Sequence, residues 1–433
     1  MLEAIEKNNF NPKIPVIDAN LSFTRRVDPT CLEDCDYEKI EDFNEMREVT
    51  GVDIGFSNNS TDIQRMIDTR TYLENNPQAY IVRNSFDLMR ATQENLYGAL
   101  FYCQKHYPVN NNPAVVDDWY NKGLRTQQLA YNAADLPNQS PTELLAGGSD
   151  QPEQGVTELG KAVIEGLNRL HMVVDVSHCC PRSVFDAVRL STDPITANHS
   201  NAYTLTPHRR NKTDDELRAI AETGGVIGVT PIRWMLNPEG TEQAGIDDYI
   251  NHLDYIVDLV GIDHVGVASD ARFDGWESTS RHYCDEHMAA PDRWKRVIKK
   301  LQSIRTADGS PKYDAEGLAK LFGGNFLRLF QNVMVGLTPP ALGETIPVNG
   351  LAGITFNWQP SRAIGVPTAK YTLQVATLDN GQVKQILVER DLTRSRHTIA
   401  LERLPTNARV WWRILAYNDV GSVQSDWEAV TNL

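Results

Sequence analysis

From residue 14 to about residue 335 the chain repeats one theme: a short Val/Ile-rich run, a polar ending, then a longer segment of helical periodicity. The runs are IPVID (14–18), VDIGFS (52–57), GALFYCQ (98–104), LRTQQLAYN (124–132), HMVVDVSH (171–178), PITANHS (194–200), GGVIGVTP (224–231) and HVGVASD (264–270). Near-continuous apolar runs of this length suit parallel strands buried on both faces. Between them lie segments such as 157–170, whose apolar residues Leu159, Val163, Ile164, Leu167 and Leu170 recur every three or four positions. Another, 213–225, opens on Thr213 with Glu216 three residues on, the pairing of a capping box, and closes on glycine. Eight strands alternating with helices predict a (β/α)8 barrel, which takes roughly 250 residues plus insertions. An open doubly wound sheet fits less well, because no strand is followed by GxGxxG or GxxxxGK[ST]. QAYIVR (78–83) reads as an accessory ninth strand.

Proline and glycine cluster in VGLTPPALGETIPVNG (335–350), and the pattern then changes to strict alternation. YTLQVAT alternates, Asn380-Gly381 is a hairpin turn, and Val410, Trp412, Ile414 and Ala416 share one face. The expected domains are therefore a barrel over 1–336 and an all-β sandwich over 337–433. The order of Trp358, Tyr371, the WWR strand and NDVGSVQSDW resembles a fibronectin type III module. It carries no catalytic constellation, so a docking or spacer role, with a surface for a protein partner, is its expected use.

Net charge is −15, which disfavours nucleic acid and anionic membranes as partners. No apolar run approaches the roughly 18 residues of a membrane helix. The N-terminus, MLEAIEKNNF, lacks the basic and apolar regions of a signal peptide, pointing to the cytoplasm, while export stays open if a leader has been removed. Six cysteines without a CxxC pair predict neither a disulfide scaffold nor a structural zinc site. Cys31 and Cys35 read as free thiols that could bridge under oxidising conditions.

In a parallel barrel the C-terminal ends of all strands open on one face, where chemistry collects. Those ends here carry Asp18 and Asn20, Gln104, Tyr131 and Asn132, Asp175, Ser177 and His178, Asn198, His199 and Ser200, and Ser269 and Asp270. Taken alone, His178 reads as a buried histidine at a helix start, Asp270 as a loop cap and Arg210 as a surface arginine. A second histidine on the next strand shifts the balance. Two imidazoles from adjacent strands with a carboxylate opposite form the ligand set of a hydrolytic metal site. The cluster His282, Cys284, His287 reads as part of a loop after strand eight, and Cys179-Cys180 as packing at a helix start.

VVDVSHCC (173–180), ITANHSNAYTLTPHRRNKTDDELRAIAETGGVIGVT (195–230) and HLDYIVDLVGIDHVGVASDARFDG (252–275) together resemble the renal (membrane) dipeptidase family, peptidase family M19 of the amidohydrolase superfamily. The resemblance implies a barrel that binds zinc and hydrolyses dipeptides. It makes His178 and His199 metal ligands, Asp270 the base that orients and deprotonates the attacking water, and Arg210 the clamp on the substrate carboxylate. A guanidinium fork suits that last task.

The departures are as informative. The first-strand His-x-Asp of the family is here Asn20 and Ser22, its bridging glutamate is Gln104, and the histidine after strand four, which stabilises the tetrahedral intermediate, is Tyr131. Amides and hydroxyls are weak zinc ligands. The expected site is therefore reduced: His178, His199 and weakly Gln104 on one zinc ion or none, Asp270 and Tyr131 as catalytic groups, and Arg210, Asn132 and Asp18 around the substrate. The expected function is a metal-dependent hydrolase of dipeptides or small dipeptide-like amides. The alternative is a silent or repurposed barrel that binds a small amino-acid-like ligand. Dimers among family members leave a homodimer open.

Overall fold

The computed structural model describes residues 14–26, 37–58, 63–85, 87–104, 112–132, 144–237, 244–272, 288, 290–334, 342–347, 353–358, 370–379, 382–404, 410–418, 421–424 and 428–430. The hairpin turn at Asn380-Gly381, the cluster His282, Cys284, His287, and Cys31 with Cys35 lie outside these residues. Two compact units emerge, Met1–Met334 and Val335–Leu433.

In the first unit the strands are β1 (Ile17–Asp18), β2 (Ile54–Asn58), β3 (Tyr97–Cys103), β4 (Leu124–Gln128), β5 (Val173–Asp175), β6 (Thr196–Ala197), β7 (Val226–Val229) and β8 (Val265–Val267). They pair in chain order, all parallel. The ring closes through the chain just beyond β1 and β8. Ala19 N–H donates to the Val267 carbonyl at 3.1 Å, and Leu21–Ser22 pairs in parallel with Ala271–Arg272. Ala79–Ile81 adds a short parallel strand to the first half of β3, the accessory strand read from QAYIVR. This unit is a (β/α)8 barrel.

Side chains alternate across the barrel wall, which is why both parities of each run are apolar. Ile54, Phe56, Leu100, Tyr102, Val173, Val226 and Ala268 pack with Phe326 and Phe330 in one cluster. The last two belong to the helix Asn325–Val333. Their rings meet Phe56 at centroid distances of 5.4 and 5.2 Å, edge-on. Gly266 is obligatory there: a Cβ would stand 2.4 Å from the Phe326 ring. The other parity, including Phe101, Val174, Ile227, Val265 and Val267, packs against helix residues such as Val163, Leu167, Leu217, Ile220 and Leu253. Each fully buried side chain of this size contributes roughly 1.5–3 kcal/mol.

Four helices follow strands whose ends matter for the site. Helix α1 (Glu158–Arg169) has Thr157 as N-cap, its hydroxyl accepting Gly160 N–H. Helix α2 (Pro181–Leu190) starts with proline, whose missing N–H and fixed φ suit a first turn. Helix α3 (Asp214–Glu222) carries the complete capping box between Thr213 and Glu216. Helix α4 (Arg293–Leu301) buries Trp294 against Tyr249 and Phe322.

The second unit is all β. Leu342–Pro347, Gly353–Trp358 and Arg396–Ala400 form one antiparallel sheet. Lys370–Asp379, Gln382–Leu392, Val410–Asn418, Gly421–Gln424 and Glu428–Ala429 form another. Their inner faces meet through Phe356 with Trp412 (5.1 Å between centroids) and Trp358 with Tyr371 (5.5 Å). Val410, Trp412, Ile414 and Ala416 are all buried.

Candidate active site

β5 ends at Asp175, and its side chain builds the turn that follows. Asp175 Oδ1 accepts the N–H and hydroxyl of Ser177, at 2.9 and 2.6 Å, and the N–H of Asn198 at 3.3 Å. His199 N–H donates to Ser177 Oγ at 3.2 Å. The ends of β5 and β6 are thereby tied together, and the imidazoles of His178 and His199 meet edge-on, with centroids 5.1 Å apart and planes at 61°. Their Nε2 atoms lie 3.0 Å apart. Gln104, at the end of β3, reaches both with its amide nitrogen, at 3.1 Å from His178 and 3.2 Å from His199. All three side chains are buried.

The opposite ring nitrogens decide the protons. His178 Nδ1 lies 3.3 Å from Asn132 Oδ1, and His199 Nδ1 is hydrogen-bonded to Asn198 Oδ1. An amide oxygen only accepts, so each Nδ1 carries the proton and each Nε2 presents a lone pair. Burial holds His199 well below the usual imidazole range, and the charges of Arg210 and Lys212 push the same way. Two neutral nitrogen lone pairs aimed at one point fit a single divalent ion of zinc type. They equally accept the two hydrogens of the Gln104 amide. Rotating that amide by half a turn would offer its oxygen as a third, weak ligand. Among the described residues no group of three or more His, Cys, Asp and Glu converges on one point.

Tyr131 stacks on His178, with centroids 4.3 Å apart and planes 25° from parallel. Arg210 is buried, donates to the Ser177 carbonyl, and has its pKa drawn down to about 10 by burial. The negative charge of Asp270, then Tyr131 and Asp175, opposes that fall, so Arg210 shares one field with the site residues. Asp270 is half-buried and left-handed, with φ of 53°. Its Oδ1 accepts Asn20 Nδ2–H at 2.5 Å. Beneath lie buried groups with no hydrogen-bond partner among the described residues, Tyr102 OH and Asp175 Oδ2. Burial raises the Tyr102 phenol well above its usual range, with Asp270 and Asp175 adding to it. Burial also lifts the Asp175 carboxyl to about 6 against its donors from Ser177 and Asn198.

The structure thus brings together His178, His199, Gln104, Tyr131 and Asn132, and separately joins Asn20 to Asp270. Asp18 is placed differently. It is fully buried, and both its oxygens accept protein donors, Asn20 N–H and Ser269 N–H on one and the Trp294 indole on the other. Ser22 sits at the closing seam opposite Arg272. Cys179 is fully buried and its thiol is pushed up to about 12 by burial, the setting of an inert packing thiol. Sequence reasoning missed Trp294, for no local pattern ties a helix tryptophan to a first-strand carboxylate.

The model of the membrane dipeptidase family, peptidase family M19, matches residues 49–335. The chain belongs to this family. An uncharacterised dipeptidase of Schizosaccharomyces pombe is 36% identical over 225 residues, covering 52% of this chain and 50% of the relative. Dipeptidase tcpJ of Claviceps purpurea is 27% identical over 248 residues, covering 57% and 53%. An uncharacterised Klebsiella pneumoniae protein is 35% identical over 188 residues, covering 43% and 64%. The chain thus spans about half to two thirds of the length of the curated relatives it matches. The fold of this M19 member recurs in solved structures. One is dipeptidase AC, a metallopeptidase, at TM-score 0.60 and 19% identity, covering 74% of this chain and 99% of that one. Another is a Rhodobacter sphaeroides metallopeptidase liganded with a phosphinate mimic of the dipeptide L-Ala-D-Ala, at TM-score 0.59 and 19% identity, covering 74% and 99%.

Proposed function

We propose that this M19 member is a metal-assisted hydrolase of dipeptides or small dipeptide-like amides, working with one ion. The observation that carries the reading is the pair of neutral imidazoles whose Nε2 atoms lie 3.0 Å apart, each oriented from behind by an amide oxygen. His178 and His199 would hold the ion, with Gln104 as a weak third ligand. When bound, such an ion polarises a carbonyl and lowers the pKa of a water towards about 7. The protein's own groups do the rest. Arg210 pairs with the substrate's free carboxylate. Asp270 accepts the proton of the attacking water. Tyr131, beside His178, donates its hydroxyl hydrogen to the oxyanion that forms. Asn132 holds His178 by its Nδ1 and lies at the substrate edge.

Zinc is the ion the family favours, and the Rhodobacter sphaeroides metallopeptidase of the same fold is liganded with a phosphinate mimic of a dipeptide. The second unit, which we read as a fibronectin type III-like docking module, offers a surface for a protein partner. No helix among the described residues is long and apolar enough to cross a membrane.

The competing reading is a silent barrel that binds a small zwitterion. The Gln104 amide favours it, since its two hydrogens satisfy both histidines without an ion. Elemental analysis of purified protein, with L-Ala-D-Ala and L-Ala-L-Ala hydrolysis assayed after adding zinc, cobalt or manganese, separates the two. Stoichiometric metal and turnover that His199→Ala abolishes are expected. Traces of metal and no cleavage with any of the ions would sink the hydrolase and leave the binding barrel.

A further inference from the structure

The chain leaving β1 and the chain leaving β8 are stitched together by one set of bonds. Asp18 Oδ1 accepts Asn20 N–H at 3.1 Å and Ser269 N–H at 2.8 Å. Ser269 Oγ and Ala271 N–H both donate to the Asn20 carbonyl, at 2.9 and 3.2 Å. Asn20 Nδ2–H donates to Asp270 Oδ1 at 2.5 Å. From outside the barrel wall the Trp294 indole N–H donates to Asp18 Oδ2 at 2.8 Å. Residues on both sides of Asp270, and its own side chain, are therefore tied to residues 18–20.

Asp270 needs that restraint. Its φ of 53° is left-handed, a conformation that residues other than glycine adopt uncommonly. Such backbone persists only where the surroundings over-determine it, and it collects at functional sites. Released, Asp270 would relax to the extended region and its carboxylate would swing from the barrel mouth. Trp294 suits the anchoring end. Its ring is buried between Tyr249 and Phe322, so the indole N–H has little freedom to turn.

We propose that Trp294, Asp18 and Asn20 form a positioning relay that holds the Asp270 carboxylate over the barrel mouth. The inference rests on the reading of Asp270 as the base. It also gives the first strand a use without a metal ligand: Asn20 serves as a hydrogen-bond donor to Asp270, and Asp18 works from behind the strand.

Crystal structures and dipeptide hydrolysis of Asn20→Ala, Asn20→Ser and Trp294→Phe test the relay. In Asn20→Ala, Asp270 is expected to leave the left-handed region and its carboxylate to move by about 1 Å, a misplacement that costs on the order of 10²-fold in kcat. KM is expected to change far less than kcat, and the melting temperature to stay within a few degrees. Asn20→Ser, which keeps a short donor, is expected to restore most of the loss, and Trp294→Phe to show a smaller fall in kcat. An Asp270 that keeps its φ and position in Asn20→Ala, with kcat unchanged, would overturn the relay. The structural arm does not need turnover. If the wild type cleaves no dipeptide but Asp270 moves, the relay stands and the hydrolase reading fails. If it cleaves and Asp270 does not move, the relay fails alone. Should Asn20→Ala not fold, the Asp270 backbone chemical shifts of Trp294→Phe decide, unchanged shifts counting against the relay.

Discussion

Asp175 holds a carboxyl group in a fully buried place, with three donors on one oxygen and none among the described residues on the other. Its folded pKa of about 6 lies above the ordinary carboxylate value. Between those two values the folded chain keeps a proton that the unfolded chain has lost, so this group's contribution to stability falls as pH rises from about 4 to about 6. The loss is on the order of 3 kcal/mol and is complete above that window. Urea unfolding at pH 4.5 and pH 7 is expected to show a smaller difference in Asp175→Asn than in the parent. Gln104 carries the second residue-scale expectation. Replacing its amide by a carboxylate, Gln104→Glu, sets a negative charge beside two neutral imidazoles, where a cation gains the most. Zinc affinity by titration calorimetry is expected to rise by at least about tenfold, with more protons released on binding. Both residues stand at strand ends in the sequence. Ser177 lies on the turn that Asp175 itself builds. Asn198, however, follows the next strand, and the imidazoles beside Gln104 follow strands two and three further round the barrel, so only the first-order type of chemistry could be read locally.

At the scale of elements, the segment from His199 to Thr213 delivers Arg210 to the site and is locked at both ends. Lys212 N–H donates to the Asn201 carbonyl at 2.8 Å, and Lys212 Nζ to the Cys179 carbonyl at 2.6 Å. Asn211 Nδ2 reaches the carbonyls of Thr206 and Met235, at 2.9 and 2.8 Å. The capping box of α3 closes the segment, with Thr213 N–H on Glu216 Oε2 at 2.8 Å and Glu216 N–H on Thr213 Oγ1 at 3.3 Å. Thr213→Ala is expected to cost about 1 kcal/mol in chemical denaturation. Because Arg210 lies three residues upstream, KM for a dipeptide is expected to rise more than kcat falls. The box was legible in the sequence because it involves residues three apart on one turn. The hold on Arg210 was not, since it depends on Cys179 and Met235, which other strands supply.

For the whole molecule, the division at Met334 and Val335 separates a parallel barrel from two antiparallel sheets. A chain ending at Met334 is expected to unfold in one cooperative transition by circular dichroism and to keep any dipeptidase activity of the full chain. Loss of either would show that the second unit is needed by the first. The alternation of runs and helices, the change to period-two patterning after residue 335 and the placing of polar residues at strand ends all follow from the sequence by itself. Those features are periodic, and a periodicity is set by neighbours a few residues apart. Ring closure settled what lay beyond them. It set Asn20 against Asp270, 250 residues away, and Asp18 against Trp294, 276 residues away. It also placed one amide between two imidazoles from other strands. Contacts of that range depend on how the barrel's strands are ordered and staggered in space, and no local pattern of residues encodes them.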